Sequence, residues 1–309
     1  MTILLSRLKK ESTIRVKMEK YIIPMGEALN VYEANGTFFD KCVDELKAEG
    51  LEVITAKQLA EARMLGGVNH PVSRKWTWTA ENFNYLPNGD ILVASKGFNP
   101  LLQYPVEATN CHRQNPFMEF YLSVNDTENL RRAASSDVNQ AMKFGVLLLK
   151  RSKVLSDIPV EAFGEEDVTS FLFGDKAEDY GKFLKENGIN NAPLYVVDKA
   201  HAQKQGKAFS RPLWAYGFSL NSALGGYGSL SDGDGRAFGV RRSEQPEAAS
   251  QGLRAERSEP RNEAGRSDRG ALSTPTLEQV LAVTESFTAE CNKEALKARL
   301  EALYQKPKK

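Results

Sequence analysis

Residues 243–272 place the strongest limit on what this chain can fold into. The stretch reads SEQPEAASQGLRAERSEPRNEAGRSDRGAL, contains no Ile, Val, Phe, Met, Tyr or Trp, and sets five arginines against six acidic residues. A segment of this composition cannot bury enough apolar surface to offset the conformational entropy that ordering would remove. The sequence therefore predicts a disordered, low-complexity linker, with one large globular region before it.

The linker divides the rest of the chain into three predicted parts. Residues 1–17 form a basic N-terminal arm, because the first 20 residues carry six basic and two acidic side chains. Residues 18–242 form an α+β domain. Residues 273–309 carry an apolar stripe at helical spacing and form a helix or helical hairpin, which we expect to dock or to self-associate through residues 277–304 as a coiled coil.

Local signals within the domain predict mixed secondary structure. A helix is expected over residues 37–49 with Thr37 as its cap, and a second over 55–65 with Thr55 as its cap. The stretch LPNGDILV predicts a β-hairpin.

Residues 126–200 return to a helical pattern. Four apolar side chains are expected on one helix face, namely Leu130, Ala134, Val138 and Met142. The sequence therefore predicts a sizeable, largely helical region here, either a helical insertion in the domain or part of its core.

Charge, cysteines and apolar runs exclude several classes of protein. With 41 basic and 40 acidic residues, the net charge of +1 argues against a dedicated nucleic-acid binder, which would carry a basic surplus. Cys42, Cys111 and Cys291 lie far apart and form no C-x-x-C pair, which fits a reducing compartment and gives no zinc pattern. No run approaches the roughly 20 apolar residues that cross a bilayer. We expect a cytoplasmic protein without a membrane span.

Catalytic motifs are absent from the sequence. His70, His112 and His201 show no metal-ligand spacing, and there is no nucleophile elbow, phosphate loop or dinucleotide fingerprint. Asp232 and Asp234 are spaced like the start of a calcium loop, but the later ligand positions do not follow, so they are interpreted as turn formers. No metal or cofactor is predicted.

The segment 214–236, WAYGFSLNSALGGYGSLSDGDGR, has the composition of a binding surface. Of its 23 residues, 13 are Gly, Ser, Tyr or Asn, and four of the 23 are aromatic, namely Trp214, Tyr216, Phe218 and Tyr227. Tyr and Trp supply contact area with few rotatable bonds, while Ser, Gly and Asn supply adaptable hydrogen bonds. A solvated loop has a similar composition, so both interpretations stay open.

At this point the domain resembles a C-type-lectin-like domain of the type found in formylglycine-generating enzymes and in the variable proteins of diversity-generating retroelements. The likeness rests on the two early helices, the stretch WTWTAENFNYLPNGDILV, a Trp-headed strand that leads into the Gly/Ser/Tyr/Asn loop, and the closing strand GRAFGVRR. The calcium-binding triplets of sugar-binding lectins and the active cysteine pair of the oxidases have no counterpart, so neither activity is expected.

The resemblance implies that terminal strands pair side by side and that loops before the last strand form the ligand surface. The candidate ligand-binding residues are Trp214, Tyr216, Asn221, Ser222, Tyr227, Ser229, Asp232, Asp234 and Arg236.

The leading hypothesis is a non-enzymatic module that binds an unknown protein or small molecule through residues 214–236. One alternative is an enzyme of unknown reaction that uses His112 and nearby acids. Another is a structural or nucleic-acid-associated protein that acts through the basic arm.

Overall fold

The computed structural model describes residues 17–23, 29–115, 118–218, 222–231 and 235–241. All of them belong to the compact unit Met1–Ala249, and the second unit, Ser250–Lys309, lies outside the described residues. The predicted basic arm, linker, helical tail and self-association segment also lie outside them, apart from the backbone of Lys17.

The described part of the chain alternates between helices and short strands. The strands are β1 (Lys17–Ile23), β2 (Leu29–Thr37), β3 (Leu51–Val53), β4 (Thr77–Tyr85), β5 (Ile91–Ala94), β6 (Phe120–Tyr121), β7 (Ala134–Ser135), β8 (Val146–Leu149), β9 (Asp157–Pro159), β10 (Asn191–Val196), β11 (Phe209–Ala215), β12 (Leu224–Gly226) and β13 (Gly235–Arg241). The α-helices are α1 (Phe39–Ala48), α2 (Ala56–Gly66), α3 (Pro71–Arg74), α4 (Pro100–Gln103), α5 (Pro105–Gln114), α6 (Val124–Ala133), α7 (Val138–Phe144), α8 (Asp167–Phe173), α9 (Ala177–Glu186) and α10 (Lys199–Gln205). Single 3-10 turns occupy Lys96–Phe98, Arg151–Lys153, Val160–Ala162 and Gly174–Lys176.

The strands join in one mixed sheet whose main path runs β1-β2-β13-β4-β11-β12-β10-β9. Strand β13 pairs antiparallel with β2, from Gly235↔Thr37 to Val240↔Val31, and it meets β4 in parallel at Ala237↔Trp78. The closing strand that the sequence predicted at GRAFGVRR is therefore observed as β13, a central strand of the sheet that lies between β2 and β4.

Several local predictions are confirmed. Helix α2 begins with a capping box in which the Thr55 side chain accepts from the Gln58 N–H and the Gln58 side chain accepts from the Thr55 N–H. The hairpin of β4 and β5 forms as expected, and Gly89 has φ +88° in its turn, a value that favours glycine.

The predicted cap of the first helix is wrong. Thr37 ends strand β2, and α1 follows an N-cap at Phe38 whose side chain makes no capping hydrogen bond. The free N–H groups of the first turn are instead taken by distant partners: Phe39 donates to the Leu230 carbonyl at 3.0 Å and Asp40 donates to the Thr109 hydroxyl at 3.1 Å.

The prediction of a continuous helical face through Leu130, Ala134, Val138 and Met142 is also wrong. Helix α6 ends at Ala133, Ala134 belongs to β7, and Met142 is exposed. The apolar run Val146–Leu149 pairs with β5 as strand β8, so this region supplies strands to the sheet as well as helices.

The core is continuous across both kinds of element. One buried cluster joins α2, α8 and α9 to the sheet through side chains such as Leu59, Phe171 and Leu184. A second cluster packs α1 against Trp78 and Trp214. In the ranges that the structure describes, no helix has the length and apolar character needed to span a membrane.

Candidate functional site

Five aromatic side chains and one arginine lie in contact one after another, and we call this series the aromatic row. Its members, in spatial order, are the Arg236 guanidinium and the rings of Trp76, Trp214, Tyr216, Tyr195 and Tyr227. Trp76 and Trp214 stack at 4.4 Å with an interplanar angle of 20°, and Trp214 and Tyr216 stack at 6.2 Å. Tyr195 then meets Tyr216 edge-on at 6.4 Å and Tyr227 edge-on at 5.9 Å. Both stacked and edge-on geometries are favourable for aromatic pairs.

The inner end of the aromatic row is part of the core. The Trp214 side chain is only 6% exposed and packs in the cluster with Trp78. The Arg236 guanidinium lies 5.0 Å from the Trp76 ring centroid and 3.7 Å from the buried carboxylate of Glu33. Trp214 and Arg236, both predicted at the ligand surface, therefore hold the scaffold together at this end.

The outer end of the aromatic row reaches solvent. Tyr195 is 45% exposed and Tyr227 is 47% exposed. Beside them lies a cavity of about 360 Å³, lined by Arg151, Val154, Ser156, Leu194, Tyr195, Val196 and Tyr227. This concave, partly aromatic surface has the character of a small-ligand site.

A buried hydroxyl fixes the distance between the two strands that carry these tyrosines. The Tyr85 hydroxyl donates to the Gly226 carbonyl at 2.5 Å and accepts from the Val197 N–H at 3.2 Å. Burial raises the pKa of Tyr85, so its hydroxyl stays protonated and able to donate. Strands β10 and β12 also pair in parallel, with Tyr195 opposite Gly225.

Much of the glycine-rich segment is buried. Residues 222–226 are all buried, and Ser222 sits in the left-handed region at φ +49° with its N–H donating to the Gly217 carbonyl. A Cβ on Gly226 would lie 2.2 Å from Phe83 Cδ2. The expectation of one solvent-facing loop is therefore wrong for residues 222–226, where glycine allows rings to pack directly on the backbone.

Residues 229–231 are anchored to helix α5 through one histidine. The Leu230 N–H donates to His112 Nδ1 at 2.8 Å, and the Ser231 hydroxyl donates to the His112 carbonyl at 2.9 Å. Ser229 is half-buried, and its hydroxyl lies 3.0 Å from that of Ser231. Ser229 therefore belongs to a braced turn close to Tyr227.

His112 itself is completely buried. Burial, together with the charge of Arg211, lowers the pKa of the imidazole to about 3, so the ring stays neutral. The neighbouring Cys111 thiol donates to the Glu119 carbonyl at 3.4 Å, and burial raises its pKa. Here His112 acts as a structural acceptor, and the Cys111 thiol lacks the lowered pKa of a reactive cysteine.

Three predicted residues lie outside the described part of the chain, namely Asn221, Asp232 and Asp234. Within the described ranges, no group of three or more His, Cys, Asp or Glu side chains is arranged to hold a metal ion.

Sequence reasoning missed three residues of this site. Tyr195 stands in the apolar stretch APLYVVD, where an aromatic residue in an alternating strand was a usable signal. Arg151 and Tyr85 gave no local signal, because their roles depend on β8, β10 and β12 being brought together by the sheet.

Comparisons with known proteins bear on the fold. No family model matches the chain. The large ribosomal subunit protein bL9 of Brucella anthropi is 26% identical over 167 residues, which cover 50% of this chain and 88% of that protein. A solved structure described as the "accommodation of massive sequence variation in Nanoarchaeota by the C-type lectin fold" is similar with a TM-score of 0.53 and 17% identity, over 69% of this chain and 98% of that one.

The structural likeness, together with the mixed sheet and its closing strand, shows the fold of this chain. The chain has an α+β C-type lectin fold, which confirms the fold that the sequence resemblance implied.

Proposed function

We propose that this protein is a non-enzymatic binding module that holds its ligand at the outer end of the aromatic row. The observation that carries the proposal is the pair of half-exposed tyrosines, Tyr195 and Tyr227, beside a cavity of about 360 Å³. Exposed tyrosines that border a concave surface are typical of binding sites, since they give large contact area at low entropic cost.

Rigidity supports this proposal. The Tyr216 ring contacts Tyr195 edge-on and stacks on Trp214. The Tyr85 hydroxyl joins the ends of β10 and β12 through hydrogen bonds. A surface that is already ordered loses little conformational freedom when a ligand binds, so more of the contact energy is available as affinity.

The proposal extends to the variable-protein type within this fold. The Nanoarchaeota structure is described in terms of massive sequence variation, and the resemblance on residues 214–236 is to variable proteins. Close relatives should then differ at the accessible Tyr227 and Ser229 and keep Trp214 and Gly226. Uniform conservation, or variation that ignores burial, would contradict this extension.

The binding proposal is tested with a library of small aromatic fragments and ligand-observed NMR. We expect fragments to bind the full chain and to lose about tenfold or more in affinity in the double variant Tyr195→Ala/Tyr227→Ala, because both exposed rings are removed. Tyr104→Ala is the matched control, since Tyr104 is 41% exposed and lies outside the aromatic row.

Thermal melting of all three proteins checks that the fold is kept. Fragment affinity that is the same in the double variant as in the wild type would contradict the proposed site.

A further inference from the structure

We infer that the cavity beside Tyr195 and Tyr227 selects a small organic anion, a carboxylate or a phosphate on an aromatic or apolar stem, and that Arg151 is the residue that pairs with it. This inference rests on the proposed function and names the class of ligand. It follows from how Arg151 is held, from the charges near it and from the other walls of the cavity.

Hydrogen bonds hold both the backbone and the side chain of Arg151. The backbone N–H donates to Asp90 Oδ1 at 3.0 Å, and the side-chain Nη1 donates to the Val197 carbonyl at 2.8 Å. Because Val197 directly follows β10, the guanidinium is fixed beside the strand that carries Tyr195. A guanidinium has five N–H donors, so further donors remain for a ligand after this bond.

Among the residues that the structure describes, no carboxylate lies within 4.0 Å of the Arg151 guanidinium, and the nearby Asp167 pairs with Lys153 instead. The nearby Asp90 carboxylate instead accepts from the Arg151 N–H and pairs with Lys150 Nζ at 3.3 Å. A positive charge fixed in a cavity wall without an acidic partner favours an anionic ligand.

The other residues that line the cavity indicate that the anionic group must be attached to an apolar or aromatic part of the ligand. Val154, Leu194 and Val196 supply an apolar lining, and Tyr195 and Tyr227 supply rings. The planar guanidinium matches carboxylate and phosphate oxygens, and an apolar wall beside it lowers the local dielectric and strengthens the pairing. At about 360 Å³ the cavity is near the lower end of the range for small-molecule sites, so the ligand is small.

The test compares three probes on the full chain by NMR titration: benzoate, phenyl phosphate and the neutral benzamide. We expect the anions that fit to bind about tenfold more tightly than benzamide, which is the size of one charge-assisted hydrogen-bonded pair. The two anions also separate a carboxylate site from a phosphate site. Arg151→Met should remove this preference, so that all three probes bind the variant with affinities within about twofold of one another.

Two further variants serve as controls for the effect of charge. Arg151→Lys retains the positive charge and should keep most of the preference for anions, even though the guanidinium geometry is lost. Lys153→Met removes the same charge two positions away, from a side chain that is 64% exposed and paired with Asp167 at 3.7 Å. It should leave the preference unchanged to within about twofold, because an exposed charge outside the cavity is screened.

Each outcome bears on a distinct claim. Equal binding of benzamide and both anions to the wild type overturns the anion inference and leaves the proposed binding site standing. An equal loss in Lys153→Met and Arg151→Met overturns it as well, because general surface charge would then explain the preference. If none of the three probes binds, both the inference and the proposed function fail.

Discussion

At the scale of single residues, one buried hydroxyl sets the geometry of the candidate surface. Tyr85 lies in β4, far from Tyr195 and Tyr227 in sequence, yet its oxygen joins the backbone of Gly226 to that of Val197. Gly226 ends β12 directly before Tyr227, and Val197 follows β10 two residues after Tyr195. Tyr85 is therefore a positioning residue for the cavity.

Removing that hydroxyl should loosen the site and leave the core packed. Tyr85→Phe keeps the ring, which stacks on Phe209 at 5.1 Å, but leaves the Gly226 carbonyl and the Val197 N–H without this partner. We expect the free energy of unfolding to fall by about 1–3 kcal/mol, measured by urea denaturation, and fragment affinity to fall with it. Tyr104→Phe is the control. Full fragment affinity in Tyr85→Phe would show that the Tyr85 hydroxyl does not position the site.

The buried imidazole of His112 makes the stability of the fold depend on pH. The imidazole has a pKa of about 3 in the folded chain because of burial, against 6.5 for the free group. Between these values the unfolded chain binds more protons, so this group makes the folded state less stable as the pH falls from about 6.5 towards 3.

His112→Gln should flatten this pH dependence, because the amide does not titrate and its oxygen can still accept from Leu230. The loss of stability between about pH 6.5 and pH 4.5 should be smaller in the variant by up to about 2 kcal/mol, by urea denaturation at both pH values. Glu81, whose pKa burial raises to about 7, opposes this trend in both proteins, so the difference between them isolates His112. Parallel profiles would contradict the assignment.

At the scale of elements, the short strand β12 explains why the composition of residues 214–236 gave a wrong prediction of a solvent-facing loop. Tyr216 and Phe83 lie so close to Gly225 and Gly226 that an added Cβ would fall 2.9 Å and 2.2 Å from their rings. The glycines thus serve close approach between backbone and rings, which composition alone cannot distinguish from a pliant loop.

Gly226→Ala tests this view of β12. The added methyl group must displace Phe83, which is completely buried, so we expect a loss of roughly 1–3 kcal/mol in the free energy of unfolding. Gly97→Ala is the control, because a Cβ there meets nothing within 4 Å. Equal melting temperatures for the two variants would restore the interpretation of residues 224–226 as an unpacked loop.

Elements with local signals could be predicted from the sequence. Thr55 and Gln58 cap α2 from within four residues, and the turn at Gly89 specifies its hairpin. The start of α1 could not be predicted, because its cap comes from Thr109 and Leu230, which tertiary structure brings to it. For the same reason β8 was missed, since its pairing with β5 overrides the helical pattern around it.

At the scale of the whole molecule, the order of motifs predicted the fold better than periodicity did. The closing strand Gly235–Arg241 was placed correctly in a sheet, where it pairs with β2, β3 and β4. The candidate site was only half predicted, because Tyr227 lies in the glycine-rich segment while Tyr195 and Arg151 come from the region interpreted as an insertion. Parallel pairing of β10 with β12 brings the two tyrosines together, and the bond from Arg151 Nη1 to the Val197 carbonyl adds the guanidinium.

A crystal structure of the full chain soaked with small aromatic fragments tests the central claim most directly, because it shows where ligands contact the protein. We expect fragment density between the Tyr195 and Tyr227 rings, with anionic fragments directed at Arg151. Density confined to the other cavities, such as the one of about 400 Å³ between Phe98 and Leu130, with the tyrosine surface empty, would contradict it.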